Sequence, residues 1–181
     1  MKVVNMSGSL RGDVGKSDAK KLRKEGMVPC VVYGGKEQIH FAVDERQFSP
    51  LVFSPDVHYV KIELDGNKTV EAILQDIQYH PVSDRILHAD FLELVDGKVI
   101  KLSVPVKITG SSKGVLKGGK LYKKKRRLLV ESLPDNMPDA ITVDITDLDI
   151  GDSVTVRDIE LENASILDIY SEAVVSVKTA R

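Results

Sequence analysis

Short segments in which apolar residues are continuous, or alternate with polar ones, dominate the first half of the chain. Residues 28–33 form a continuous apolar run, and residues 59–64, 69–79 and 85–94 alternate. Runs of this length and period predict β-strands. The Asp-Gly-Asn sequence at 65–67 predicts a hairpin between two of them. The pattern therefore predicts an antiparallel sheet or a small barrel.

A helical pattern interrupts these strands near the start of the chain. Ser17 is a suitable N-cap residue, Ala19 and Leu22 fall on one helical face, and Gly26 can adopt the left-handed conformation that ends a helix. A second helix is predicted from Asp44 to about residue 53, with Gln47 as the capping partner three residues on.

The second half of the chain is also rich in strand-like segments. A Val-Asp-Gly turn at 95–97 separates the two halves. Four runs after it predict strands: 99–108, 128–133, 141–145 and 174–178. We therefore expect a mainly β protein with a few helices (α+β), with one domain at 1–94 and an all-β second domain at 95–181.

Composition narrows the class of protein. The 181 residues are 42% hydrophobic and 29% charged, which suffices for one large core or two modest ones. A single cysteine, Cys30, excludes an intramolecular disulfide and a thiolate-rich zinc site and favours a reducing compartment. No segment has the pattern of a signal peptide or a membrane span. We expect a cytoplasmic protein without a membrane partner.

Charge is distributed unevenly along the chain. The formal net charge of −1 by itself argues against a dedicated nucleic-acid binder. However, residues 1–36 carry eight Lys or Arg against three acids, and residues 113–127 carry eight against none. Acidic residues collect in 135–172, where Arg157 is the only Lys or Arg among eleven carboxylates. Two basic segments are therefore candidate polyanion-binding elements.

The first helix concentrates cations on its outer faces. Lys20, Lys21, Arg23 and Lys24 project away from the apolar side when placed at 100° per residue. Such a helix can hold phosphates, but a cluster of four cations is also typical of an ordinary solvated surface. The helix alone leaves both interpretations open.

The strand at 85–94 places polar chemistry on one face. Alternation puts Ile86, His88, Asp90 and Leu92 on the same side. His88 and Asp90 can bond to each other, or to RNA bases and 2′-hydroxyls. A metal site with His80 matches no standard ligand spacing, and a hydrolase using Ser83 or Cys30 as nucleophile has no supporting motif. A purely structural hydrogen bond between His88 and Asp90 is the main alternative.

Several separated motifs resemble one known family. RGDVGKSDAKKLRKEGMVPCVVYGG at 11–35 and ILHADFLEL at 86–94 resemble the ribosomal proteins of the L25 and Ctc (general stress protein) family. VPVKITGSSKGVLKGGKL at 104–121, the segment at 133–161 and EAVVSV at 172–177 are similar to the C-terminal β domain of its two-domain members. The resemblance covers nearly the whole chain.

The resemblance implies a fold, a partner and a site. The expected fold is a small antiparallel N-terminal β-barrel with helices, which binds the widened minor groove of internal loop E in 5S ribosomal RNA. The matching RNA-binding positions are Arg11, Lys20, Arg23, Tyr33, His88 and Asp90. The implied protein is a structural, non-enzymatic constituent of the large ribosomal subunit, without metal or cofactor. It is expected to be monomeric when free, with neighbouring ribosomal proteins as candidate partners of the second domain.

Alternatives remain for function and for two charged segments. A stress-induced protein that occupies the same RNA site conditionally is the first functional alternative, and a small hydrolase using His88 and Asp90 is the second. The Lys-Lys-Lys-Arg-Arg run at 123–127 is either a solvated hairpin or an additional contact with ribosomal RNA. The aspartates at 144–152 do not fit a calcium loop and are interpreted as turn residues.

Overall fold

The computed structural model of the protein describes residues 2–65 and 68–179. These residues fall into two compact units, and the division lies between Lys98 and Val99, a few residues beyond the boundary predicted at 94/95. The first unit is a barrel with short helices, and the second is rich in strands. The prediction of a mainly β protein is confirmed. Within the described ranges, no helix is long and apolar enough to cross a membrane.

Six strands close the barrel of the first unit. They are β1 (Lys2–Leu10), β2 (Met27–Tyr33), β3 (Ile39–Asp44), β4 (His58–Leu64), β5 (Lys68–Tyr79) and β6 (Ile86–Glu93). Their order around the barrel is β1-β3-β2-β6-β5-β4. The β1/β4 and β2/β6 pairs are parallel, and the other four pairs are antiparallel. The predicted small barrel is confirmed, and two of its six strand pairs are parallel where antiparallel pairing was expected.

Sequence patterning found four of the six barrel strands. It missed β1, most of whose residues are exposed or half-exposed, and β3. The two strands around the predicted 65–67 hairpin, β4 and β5, are antiparallel partners. Gly66 and Asn67 themselves lie outside the described residues.

The first helix, α1 (Lys16–Lys24), begins earlier than predicted. Its N-cap is Gly15 rather than Ser17, and no side chain caps it. Ala19 and Leu22 are half-buried, as the helical pattern predicted. Gly26 has a φ of +80°, so it ends the helix in the left-handed conformation expected of it.

The second helical segment is shorter and less regular than predicted. A 3₁₀ helix (Glu45–Phe48) leads into α2 (Ser49–Val52). Asp44 caps it by accepting a hydrogen bond from the Arg46 amide at 2.9 Å. Gln47 is not the capping partner, because its side chain bonds the backbone of Ser7 in β1 instead. Gln47 thus ties this segment to the barrel wall.

Three phenylalanines fill the centre of the barrel. Phe41, Phe48 and Phe91 are fully buried, and the ring centroid of Phe91 lies 5.8 Å from that of Phe41 and 6.2 Å from that of Phe48. Phe91 therefore joins β3, β6 and the 3₁₀ helix in one core.

Cys30 belongs to this core. Its side chain is fully buried, and the thiol donates a hydrogen bond to the Val28 carbonyl at 3.3 Å. Burial raises the pKa of the thiol far above its usual value, and the charge of Asp90 adds to this while that of Arg11 opposes it. The prediction of a small, unreactive core side chain agrees with this environment.

We expect the Cys30 thiol to react with a disulfide reagent at least about 10³-fold more slowly in the native protein than in urea, because reaction requires a thiolate that only opening of the barrel provides. Labelling with Ellman's reagent measures this. Comparable rates in both states would contradict a closed core.

The second unit contains two sheets. Its strands are β7 (Ile100–Thr109), β8 (Gly119–Lys123), β9 (Arg127–Ser132), β10 (Ile141–Asp144), β11 (Ser153–Thr155), β12 (Ala164–Ile166) and β13 (Ala173–Thr179). One sheet has the order β10-β7-β9-β12 and the other β11-β13-β8. The connections between the strands contain one helical turn, α3 (Lys113–Leu116), and two short 3₁₀ helices, Pro134–Asn136 and Val156–Asp158. The four predicted strands are confirmed, whereas β8, β11 and β12 were missed.

Candidate nucleic-acid interface

The outer face of β6 carries the polar pair that the sequence singled out. Ala89 and Phe91 point into the core and are fully buried, while His88 and Asp90 alternate outward with side chains 28% and 31% exposed. Ile86 does not share this face. Pairing with β5 skips Leu87, and this irregularity turns Ile86 into the core.

His88 and Asp90 contact each other directly. His88 Nδ1 lies 2.6 Å from Asp90 Oδ1. Oδ1 is buried, and no donor among the described residues is aligned to give it a hydrogen bond. The two side chains are therefore in close contact, but the geometry is not that of a hydrogen bond. The contact keeps the imidazole ring and the carboxylate side by side on the open face of the strand.

Neighbouring strands add polar groups beside this pair. In the β5/β6 register, Gln78 lies opposite His88 and Asp76 lies opposite Asp90. Residues directly opposite each other share one face of the sheet. Gln78 and Asp76 are therefore candidate interface residues that the sequence analysis missed. Their alternation along 69–79 marked a strand, but the register that brings them to His88 and Asp90 is a tertiary feature.

Tyr33 ends β2 next to this face. It pairs with Leu92 of β6, and the residue is 36% exposed. Gly34 follows with a φ of +98°, and a Cβ there would meet the Leu92 side chain at 2.5 Å, so the turn after Tyr33 favours glycine. Burial, followed by the charges of Asp90 and Asp76, raises the pKa of Tyr33. The phenol therefore remains a neutral hydrogen-bond donor around pH 7.

Helix α1 borders the same face, because it packs against β2. Its lysines at 20, 21 and 24 are exposed, and none of them forms an ion pair with a described residue. Their ammonium groups are therefore available to an external anion.

Arg23 links α1 to β6. Its Nε donates to the Leu87 carbonyl at 2.9 Å, and its own carbonyl accepts from Arg85 Nη2 at 3.2 Å. The Arg85 guanidinium also pairs with Glu45, with an N–O distance of 3.0 Å. These bonds fix the C-terminal end of α1 beside His88. The half-buried Arg23 therefore lies where α1 meets β6.

Arg11 has a different environment from the other predicted contacts. Its side chain is only 7% exposed and pairs with Asp18 of α1 at 2.7 Å, and Nη2 also donates to the Asp13 carbonyl. Because the guanidinium is engaged within the unit, it holds the chain that enters α1 and does not present a free charge. Whether Arg11 also contacts RNA, as the family resemblance implies, stays a prediction.

The cysteine and the histidine of the catalytic and metal alternatives have other structural roles in the described residues. Cys30 faces the core, on the opposite side of the barrel wall from His88. His80 Nδ1 accepts hydrogen bonds from the amides of Val82 and Ser83, so it stabilises the turn before β6. No group of three His, Cys, Asp or Glu residues in the described ranges is arranged to hold a metal ion.

Both halves of the chain match ribosomal protein families. Residues 6–91 match the ribosomal L25p family, and residues 99–181 match the C-terminal domain of ribosomal protein TL5. Three similar relatives each carry the name large ribosomal subunit protein bL25. The relative from Amoebophilus asiaticus is 42% identical, that from Porphyromonas gingivalis 37% and that from Christiangramia forsetii 41%. All of this chain is covered in each case, with 92%, 95% and 83% of the relative.

Proposed function

The chain belongs to the ribosomal L25p family, and from this premise we propose that its first unit binds 5S ribosomal RNA at the minor-groove side of internal loop E. Membership makes it a structural, non-enzymatic constituent of the large ribosomal subunit, as the sequence predicted. It acts at the ribosome in the cytoplasm and is monomeric before assembly.

The observation that carries the proposal is one outer face on which cations border hydrogen-bonding side chains. Lys20 lies on α1 and Arg23 at its seam with β6, beside the group formed by Tyr33, His88 and Asp90. A wide RNA minor groove presents 2′-hydroxyls and base edges between two phosphate backbones. Cations at the edge and hydrogen-bonding groups in the centre complement that arrangement.

The roles differ within this face. Lys20 and the terminal nitrogens of Arg23 contact phosphates, whereas Tyr33 and His88 donate to sugars or bases. Asp90 repels phosphate, so it acts either by orienting His88 or by accepting from a base amino group or a 2′-hydroxyl. Its 2.6 Å contact with His88 supports the orienting role.

Binding of the full chain to 5S RNA tests the proposal. His88→Ala is expected to lower the affinity about tenfold, because one base or sugar contact contributes on the order of 1–3 kcal/mol. Asp90→Asn, which keeps the shape but removes the charge, is expected to weaken binding severalfold. Fluorescence anisotropy with labelled RNA measures both.

His58→Ala provides the matched control. His58 lies on β4, which β5 separates from the His88 strand β6, and its removal is expected to leave the affinity unchanged. Equal affinities for wild type, His88→Ala and His58→Ala would remove this face from the interface. Unchanged binding by Asp90→Asn would exclude both roles given to Asp90.

A further inference from the structure

The basic residues around 113–127 in the second unit differ in how they are neutralised. Lys125 pairs with both Asp168 and Glu172, each at 2.8 Å, and hydrogen bonds to Asp168 and then Glu172 raise its pKa. Three further lysines are engaged within the unit: Lys113 with Asp147, Lys117 with Asp149, and Lys123 with the Val106 carbonyl. Much of the basic segment therefore serves the fold.

In the three-stranded sheet β11-β13-β8, by contrast, the positive charge is not neutralised by acidic residues of the same strands. Its strands contain three lysines and no acidic residue. Lys120 of β8 lies directly opposite Lys178 of β13, and neither pairs with an acidic residue in the described ranges. Like charges directly opposite each other destabilise a sheet, so this pair is a cost that an anion would relieve.

Tyr122 lies beside these two charges, two residues along β8 from Lys120 and opposite Ser176. The residue is 42% exposed, and the ammonium nitrogens of Lys120 and Lys178 lie 5.7 and 5.8 Å from the centroid of its ring. Cation–π attraction holds both ammonium groups near the ring. An exposed tyrosine with a lysine on either strand can stack a nucleobase once the ammonium groups move from the ring to the flanking phosphates.

We propose that the Tyr122 patch, formed by Lys120, Tyr122 and Lys178, is a second RNA-binding site that takes an unpaired nucleotide segment. Tyr122 stacks on a base, and the two lysines contact the phosphates on either side. An acidic protein segment would match the charges alone, but it would leave the aromatic face without a role. The proposal does not depend on the site in the first unit.

A titration of the full chain with a fluorescent single-stranded RNA decamer tests the patch. The protein is first saturated with unlabelled 5S RNA, and its 5S affinity is recorded separately, so failure of either site is seen by itself. Tyr122→Ala is expected to lower the decamer affinity about tenfold, with no change in the salt slope, which is the slope of the logarithm of the binding constant against the logarithm of the salt concentration. Tyr122→Phe is expected to retain binding, since stacking needs the ring and not the hydroxyl.

The lysines give an independent measurement. The double variant Lys120→Gln, Lys178→Gln is expected to reduce the magnitude of the salt slope by about 1.4, from about 0.7 for each phosphate contact to a single strand. Tyr170→Ala, which removes a 66% exposed tyrosine of the same unit, is expected to change neither affinity nor slope.

Three outcomes would overturn the proposal. Decamer affinity equal in Tyr122→Ala and Tyr170→Ala would show that the ring does not stack. An unchanged salt slope in the double lysine variant would show that the ammonium groups do not touch phosphate. Binding of a polyglutamate peptide at least as tightly as the decamer, with the same dependence on both lysines, would assign the patch to an acidic protein partner.

Discussion

Neutralising Lys20, Lys21 and Lys24 together by substitution with Gln is expected to lower the affinity for 5S RNA about 100-fold. Each lysine that contacts a phosphate releases a counterion, so the magnitude of the salt slope is expected to fall by about one for each side chain. Gln has nearly the helix propensity of Lys, and these lysines are exposed and without ion pairs among the described residues. The helix is therefore preserved while its charge is lost.

A charge-matched triple variant isolates the effect of position. Lys61→Gln on β4, combined with Lys107→Gln and Lys117→Gln in the second unit, removes the same net charge from other surfaces. We expect this control to change 5S affinity less than about threefold. If the control lost as much affinity as the α1 variant, the lysines of α1 would contribute only through the net charge of the protein and not through specific phosphate contacts.

Phe91→Ala is expected to destabilise the first unit by about 3–5 kcal/mol. Phe91 is fully buried and packs against both Phe41 and Phe48, so its loss opens a cavity where two strands and a helix meet. Whole domains are stable by about 5–15 kcal/mol. Amide hydrogen exchange in β2 and β6 is therefore expected to accelerate by about 10² or more.

Phe53→Ala removes the same side chain from the surface. Phe53 follows α2 and is 83% exposed, so the change is expected to stay within about 0.5 kcal/mol. Equal acceleration of exchange in both variants would contradict a core centred on Phe91. Because β6 also carries His88 and Asp90, Phe91→Ala is expected to weaken RNA binding by loosening this strand, although it removes none of the groups proposed to contact RNA.

Local patterning predicted the elements that carry the proposed interface. The apolar side of α1, formed by Ala19 and Leu22, and the alternation that turns His88 and Asp90 outward are both properties of a few neighbouring residues. The structure reproduces both. The inward orientation of Ile86, which interrupts the alternation, was not predictable in this way. It arises because β6 has one more residue than β5 at this point of their pairing.

Features that depend on distant residues were missed. Gln78 and Asp76 reach the interface only through the β5/β6 register. The ion pair of Arg11 with Asp18, which leaves the Arg11 side chain 7% exposed, was not predicted either. β1 has one buried residue among nine, so its sequence carries almost no strand pattern, and its place is set by pairing with β3 and β4.

The most direct test compares two RNAs that differ only at the proposed target. The full chain is titrated, at physiological salt, with 5S RNA and with a 5S RNA whose internal loop E is replaced by Watson–Crick duplex of equal length and charge. Recognition of a widened minor groove predicts at least about 100-fold tighter binding to the natural loop. Equal affinity for the two RNAs would contradict the proposal, because charge alone would then account for the binding.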